Sequence, residues 1–291
     1  MKKQPYLGSP VFTSAVLRNH HIAARKRFGQ NFLIDAGVLE DTVEAAGLTE
    51  EDFVLEIGPG IGTLTQYLAY SAGRVCAVEI DRSLLPVLED TLQGWNNVKV
   101  VNGDIMKMDL RRLSEEENGG RPMKAVANLP YYITTPVIMK LLTEGAPLES
   151  ITVMVQKEVA ERMKAAPGTR DYGALTLAVE YYASPEIVRI VPPSSFMPRP
   201  GVDSAVVHLK LRTAPPVSVR NESLLFGVIR ASFNQRRKKL TNGITNFEGF
   251  SFSKQTAEEA VAAAGLSPDV RGETLTLLQF AAVADALSER M

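Results

Sequence analysis

"FVLEIGPGIGTLTQYLAYSA" (53–72) carries the pattern that decides the fold. "FVLEI" is a continuous apolar run of strand length, "GPGIG" a glycine-rich turn, and "TLTQYLAYSA" a helical stretch. A buried strand that turns through glycines into a helix is the opening unit of a parallel α/β sheet. The same alternation continues downstream. "RVCAVEI" (74–80) reads as a strand followed by the helix "SLLPVLEDTL", and "VKVVNGD" (98–104) as a third strand. "KAVAN" (124–128) precedes the helix "TPVIMKLLTEG", and "ITVMVQ" (151–156) precedes the helix "KEVAERMKAA". "PEIVRIVP" and "SAVVHLKL" are two more strands, joined by the loop "PPSSFMPRPGVD" (192–203). That loop is too short for a crossover helix, so this last pair is expected to be antiparallel. Beyond "TAPPVSV" (213–219), read as a linker, only helical patterns remain: "ESLLFGVIRASFNQRRKKL", "AEEAVAAAGL" and "TLTLLQFAAVADALSERM". The expectation is a basic N-terminal arm (1–24), an α/β domain with a mostly parallel sheet (25–212) and a small all-α domain (213–291).

Composition narrows the class. Apolar residues make up 45% and charged residues 22% of 291, the mixture of a soluble globular chain, and no apolar run reaches membrane-spanning length. The single Cys76 excludes an internal disulfide framework. It suits a reducing compartment, here the cytoplasm, and its setting in "VCAVEI" makes it a small buried hydrophobe. The three histidines lack metal-ligand spacing, so no metal is expected. A net charge of -1 excludes a uniformly basic coat, yet the charge is local. Lys2, Lys3, Arg18, Arg25, Lys26 and Arg27 precede the first acid, Asp35, and "RRKK" occupies 236–239. Such clusters bind polyanions, and they serve equally as solvated faces. The first cluster is read as a flexible arm; a transit peptide is the alternative, because the stretch is acid-poor without a long apolar core.

The turn "EIGPGIG" (56–62) lies where a doubly wound sheet holds its ligand. Gly58 and Gly60 allow backbone to approach that ligand closely. A dinucleotide fingerprint starting at Gly58 needs Gly or Ala at 63, and Thr63 stands there. Glu79 ends the second strand, where an acid accepts from a ribose diol, and Asp104 ends the third. Each acid alone is equally a cap or turn residue. Together the three strand ends describe a pocket for an adenosine-bearing ligand that needs no phosphate grip.

"NLPYY" (128–132) puts an amide, a proline and two tyrosines where the fourth strand runs out, as a plain turn or as a clamp for something flat. "EIGPGIGTLT", "VEID", "NGD" and "NLPYY", in this order, resemble the Rossmann-like S-adenosylmethionine-dependent methyltransferases. "RKRFGQNFLID" (25–35), "FMPRPGVDSAVV" (196–207) and "FNQRRKKL" (233–240) narrow the resemblance to the ribosomal RNA adenine dimethyltransferase family, small-subunit branch, over residues 25–285. The resemblance implies S-adenosylmethionine as cofactor, contacted by Asn31 and Leu33 with Gln30 beside them. It implies that Gly58 and Gly60 bring backbone to the methionine part, with Glu56 near its amino group. Glu79 would hold the ribose hydroxyls, Ile80 pack on the adenine, Asp104 bond its amine, and Asn128 border the methyl donor.

The target implied is adenine N6, a poor nucleophile because its lone pair is delocalised into the ring. The Asn128 amide oxygen and the Leu129 carbonyl, shaped by Pro130, would accept its two N–H groups and localise that pair. Tyr131 would stack on the base and Phe196 face it from the other side, while Tyr132 is expected to pack inward. Lys26, Arg27, Arg230, Arg236, Arg237, Lys238 and Lys239 would contact phosphates. The implied substrate is two adjacent adenines in a loop near the 3′ end of small-subunit ribosomal RNA, inside an assembling subunit, met by a monomer. The large-subunit branch, with its antibiotic-resistance enzymes, is the nearest rival, and "VDSAVV" (202–207) favours the small-subunit branch. A DNA adenine methyltransferase, a non-catalytic RNA-binding assembly factor on the same fold and a dehydrogenase are weaker alternatives, the last disfavoured by Thr63.

Overall fold

In the computed structural model, residues 3–22 and 29–290 are described. Lys26 and Arg27 lie outside them. In chain order the elements are α1 (Pro10–Asn19), β1 (Phe32–Leu33), α2 (Ala36–Ala46), β2 (Phe53–Ile57), α3 (Thr63–Ser71) and β3 (Arg74–Glu79). Then come α4 (Leu85–Thr91), β4 (Val98–Asn102), α5 (Leu110–Asn118), β5 (Met123–Asn128), α6 (Thr134–Thr143), β6 (Leu148–Gln156) and α7 (Lys157–Met163). α8 (Ala174–Tyr182), β7 (Ala183–Val191), β8 (Phe196–Met197) and β9 (Ser204–Leu211) follow. The chain ends with α9 (Glu222–Asn234), α10 (Leu240–Thr245), α11 (Lys254–Ala263) and α12 (Leu277–Ser288).

Contacts divide the chain into two compact units. The first takes residues up to Ala160 together with Pro185–Leu211, and the second takes Glu161–Ser184 together with residues from Arg212 on.

The first unit is built on a sheet of order β4-β3-β2-β5-β6-β9-β7. β2 pairs parallel with β3 and β5, β3 with β4, and β5 with β6, while β9 runs antiparallel to β6. Every residue of β2 is buried, as a central parallel strand covered on both faces requires. Its Val54 packs with Val75, Val126, Met154 and, from α3, Leu68. Truncating a fully buried leucine such as Leu68 to alanine costs about 2–5 kcal/mol. Cys76 is buried in β3, and burial pushes its thiol up to about 11, so it serves as packing. The chain winds toward β4 on one side of β2 and toward β7 on the other. This reversal leaves a crevice at the C-terminal ends of β2 and β5, which is where "GPGIG" and "NLPYY" begin.

Residues 3–22 do not form the free arm expected from their charge. Ser9 accepts from the Phe12 N–H to cap α1, and the Tyr6 and Leu7 N–H groups donate to Gln66 Oε1 at 2.9 and 3.2 Å. Leu7 and Val16 are buried with Phe32, Ile61, Leu84 and Val87, and His20 meets Asp90 at 2.8 Å. A few apolar residues spaced to one side outweigh the cations at either end of the stretch, Lys3 and Arg18.

The second unit is helical and includes α8, a segment in which the sequence showed no element. Six of its nine residues are buried, so it lacks the one-sided periodicity that reveals a surface helix. Tyr181 and Tyr182 contact the Phe226 ring of α9 at 5.3 and 5.4 Å. α9 stops at Asn234, so "RRKK" sits in the turn before α10 rather than on a helix face. Among the described residues no helix is long and apolar enough to cross a membrane.

Candidate active site

The crevice between β2 and β5 is an open cavity of about 840 Å³, mouth included. Of the residues singled out for cofactor and base, Gln30, Asn31, Leu33, Glu56, Gly58, Gly60, Glu79, Ile80, Asn128, Leu129, Pro130, Tyr131 and Phe196 all line it. Asp104 does not. It accepts from the Met106 N–H at 3.0 Å and caps a short 3-10 turn after β4.

The glycine turn forms one wall. Gly58 and Gly60 have φ of 71° and 62°, left-handed values that tax any other residue. A Cβ at Gly58 would meet nothing within 4 Å, so the turn keeps open space there, whereas one at Gly60 would approach the Phe32 ring at 3.4 Å. The Gly60 N–H donates to Glu79 Oε2 at 3.1 Å, and Oε1 takes the Asp81 N–H at 2.7 Å. Burial raises the Glu79 carboxyl above its ordinary value, opposed by these two N–H groups.

Glu56 behaves differently. It is wholly buried in β2, its Oε2 has no hydrogen-bond partner among the described residues, and burial pushes its pKa up to about 8. The neighbouring Thr65 hydroxyl opposes that shift and the Glu79 charge adds to it. A buried carboxylate oxygen without a partner is costly, and a cation bound in the cavity relieves that cost.

"NLPYY" forms the facing wall. Asn128 ends β5, and its Nδ2 donates to the Asn31 carbonyl at 3.2 Å. With the NH₂ side spoken for, the amide oxygen is left as an acceptor. The Leu129 N–H donates to Met154 O at 3.1 Å, tying the turn to β6, while its carbonyl takes no bond among the described residues. The Pro130 carbonyl is occupied by the Ile133 N–H and the Thr134 hydroxyl. Tyr131 is half-buried and its hydroxyl meets Ser204 Oγ at 2.6 Å, which fixes the ring from the far end. Tyr132 was expected to pack inward and instead is 58% exposed at the mouth. Helix α6 begins only at Thr134, so the turn carries Tyr132 outward before any helix face can bury it.

The floor is a two-stranded ribbon. Phe32 pairs with Met197 and Leu33 with Phe196, antiparallel, so "QNFL" and "FMPRP" meet far apart in sequence. The Ile34 N–H donates to Ser195 O and the Ser195 hydroxyl to Asp35 Oδ2, both at 2.8 Å. Phe196 is 2% exposed, packed into the core with its neighbour Leu33. Phe32 and Thr63 also line the cavity, and Asp81, bonded to Gln30 at 3.1 Å, braces it. All three stand inside the quoted motifs, so adjacency to a motif residue was the available signal.

In the helical unit the basic residues divide. Arg236 donates to Glu273 Oε2 at 2.7 Å, Arg170 O at 2.6 Å and Thr169 O at 2.9 Å. Lys239 pairs with Asp269. Arg230, Arg237 and Lys238 are exposed and make no side-chain bond among the described residues.

The ribosomal RNA adenine dimethylase profile matches residues 21–287. A ribosomal RNA small subunit methyltransferase A from Lachnoclostridium phytofermentans is 56% identical over 98% of this chain and 99% of its own length. A dimethyladenosine transferase structure from Plasmodium falciparum is 27% identical, with a TM-score of 0.70 over 87% of this chain and 95% of that one. The structure of the 23S rRNA methyltransferase ErmE is 27% identical, with a TM-score of 0.63 over 89% of this chain and 100% of that one. These similarities run the length of the chain and include both walls and the floor of the cavity: the chain is a methyltransferase of the ribosomal RNA adenine dimethylase family.

Proposed function

We propose that this chain dimethylates N6 of two adjacent adenines in a loop near the 3′ end of small-subunit ribosomal RNA. It does so with S-adenosylmethionine, in the cytoplasm, as a monomer acting on an assembling subunit. The observation that carries the reading is one cavity holding both a buried carboxyl with one oxygen unpartnered among the described residues, Glu56, and an amide whose oxygen is left to accept, Asn128.

The donor set fits the cofactor. Glu56 would receive its ammonium, Gly58 and Gly60 its methionine backbone, and Glu79 its ribose hydroxyls, with Gln30, Asn31 and Leu33 closing the opposite side. Ile80, 46% exposed, offers an apolar face to an adenine, and Asp104, which caps the turn after β4, would take the adenine amine. When bound, the group supplies an electrophilic methyl on a sulfonium.

The chain's own part is to present the nucleophile. The Asn128 amide oxygen and the Leu129 carbonyl accept the two N–H groups of the target amine and pull its nitrogen toward tetrahedral geometry. Pro130 holds Leu129 extended for that purpose. Tyr131, anchored through Ser204, stacks on the base, and Phe196 backs the opposite side. No side chain needs to remove a proton first, because the proton leaves after transfer. Proximity and orientation then supply about 7–11 kcal/mol of the barrier reduction. Arg237 and Lys238 would contact phosphates, as would Lys26 and Arg27. Lys239 would exchange its exposed Asp269 partner for one, since such pairs are worth little.

Identity of 56% to a small-subunit enzyme, against 27% to a large-subunit one, supports the small-subunit substrate. The test is incubation with labelled S-adenosylmethionine and unmethylated small or large subunits, followed by nucleoside analysis. Dimethyladenosine in small-subunit RNA is the expected product; label confined to large-subunit RNA overturns the assignment.

A further inference from the structure

The helical unit has a groove of its own, about 1040 Å³ with its mouth included, between α9, residues 247–252 and Arg290. "NFEGFSF" (246–252) puts three phenylalanines in a short stretch outside any helix. A Cβ at Gly227 of α9 would come within 2.6 Å of the Phe250 ring, so that ring lies against the helix backbone. Phe247 and Phe252 flank Phe250 edge to face, with centroids at 5.0 and 5.3 Å. None of the three is fully buried, so ring surface faces the groove. Arg230 stands one turn after Gly227 on the same helix face and is exposed. It makes no ion pair or side-chain hydrogen bond among the described residues. Arg290, by contrast, donates to Ala286 O at 2.5 Å and lies 3.7 Å from Glu259. No carboxylate lines the groove.

Aromatic surface beside an uncommitted guanidinium, with no acid among the lining residues, has the chemistry that holds a base and its phosphate. We infer that this groove takes one unpaired nucleotide of the RNA substrate, its base against the Phe250–Phe252 surface and its phosphate on Arg230. The inference rests on the reading of the chain as an RNA methyltransferase. It adds a nucleotide contact that reads stacking and charge rather than sequence.

The test uses the full chain in two measurements. One is methylation kinetics on unmethylated small subunits; the other is anisotropy of a labelled single-stranded oligoribonucleotide. The variants are Arg230→Gln, Phe252→Leu and Phe252→Tyr, each checked by thermal melting. Arg230→Gln should raise KM about fivefold or more while kcat moves less, and should lower the salt slope of oligonucleotide binding by about 0.7. Phe252→Leu should weaken oligonucleotide binding about fivefold or more, and Phe252→Tyr should restore it, because stacking needs the ring. Unchanged KM and oligonucleotide affinity in folded variants overturns the inference, as does equal behaviour of Phe252→Leu and Phe252→Tyr. A raised KM on subunits with unchanged oligonucleotide binding also overturns it, placing a ribosomal protein in the groove instead. If Phe252→Leu melts early, Arg230→Gln decides, since Arg230 is exposed and makes no ion pair or side-chain hydrogen bond among the described residues. Wild-type protein that binds the oligonucleotide through these residues yet methylates no subunit removes the proposed function and leaves the groove.

Discussion

Glu56 and Glu79 stand on neighbouring parallel strands, whereas Arg236 to Lys239 follow one another along a single turn. Both sets look uniform in sequence, and in both the structure divides like charges into committed and free. In the cavity, Glu79 is held by two backbone N–H groups while Glu56 keeps an oxygen without a partner among the described residues. In the turn, Arg236 is consumed by three protein acceptors while Arg237 and Lys238 face solvent. A charged residue's availability depends on what the fold places opposite it, and the free members are the ones suited to a ligand.

The hardest test of the cavity half is Asn128→Ala, which deletes an acceptor for the reacting amine. By analogy with removal of one positioned electrostatic partner, kcat should fall about 10²–10³-fold in subunit methylation assays. Subunit binding should stay near wild type; equal loss of both would place Asn128 among the binding residues.

Glu56→Gln separates the two acids next. The unfolded chain releases this proton near the ordinary 4.5 and the folded, ligand-free chain near about 8. The group's contribution is therefore full below about 4.5 and is lost as pH rises to 8, on the order of a few kcal/mol. Ligand-free Glu56→Gln should be more stable than wild type in thermal melts at alkaline pH, yet bind S-adenosylmethionine more weakly by calorimetry. A variant less stable at alkaline pH would show that Glu56 has a partner in the folded protein.

Tyr131 follows. Tyr131→Ala should cost about tenfold or more in kcat/KM through lost stacking. Tyr131→Phe should cost only about 1 kcal/mol of stability, from the Ser204 hydroxyl left behind.

The basic turn supplies the smallest effects and the sharpest contrast. Arg236→Ala should lower the melting point, by about 1–3 kcal/mol of stability, with little change in the salt dependence of RNA binding. Arg237→Ala with Lys238→Ala should leave melting unchanged and lower the salt slope by about 0.7 per residue. The reverse outcome would erase the division between committed and free cations.

Parallel strands made most of the cavity legible in the sequence. Their apolar runs are short and bounded, and each ends where the next residues face the crevice, so Gly58, Glu79 and Asn128 could be placed from spacing. Asp104 followed the same logic, but it caps the 3-10 turn after β4 and does not line the cavity. Tyr132 was not legible, because one residue of turn decides whether a ring points in or out. The packing of Leu7 and Val16 was hidden by the cations around them, and α8 by its lack of a polar face. Partners such as Ser204 for Tyr131, or Glu273 for Arg236, lie too far along the chain for local pattern to reveal.

The ribbon under the cavity sets a schedule for making this protein. Chains emerge from the ribosome N-terminal end first, and contacts between distant residues form late. A nascent chain extended only as far as Val191 already has the β2 turn, both strand-end acids and the tyrosines. It still lacks Phe196 and Met197, the partners that give Leu33 and Phe32 a strand to pair with. Cofactor-binding competence should therefore appear abruptly late in synthesis, rather than accumulate as each motif is translated.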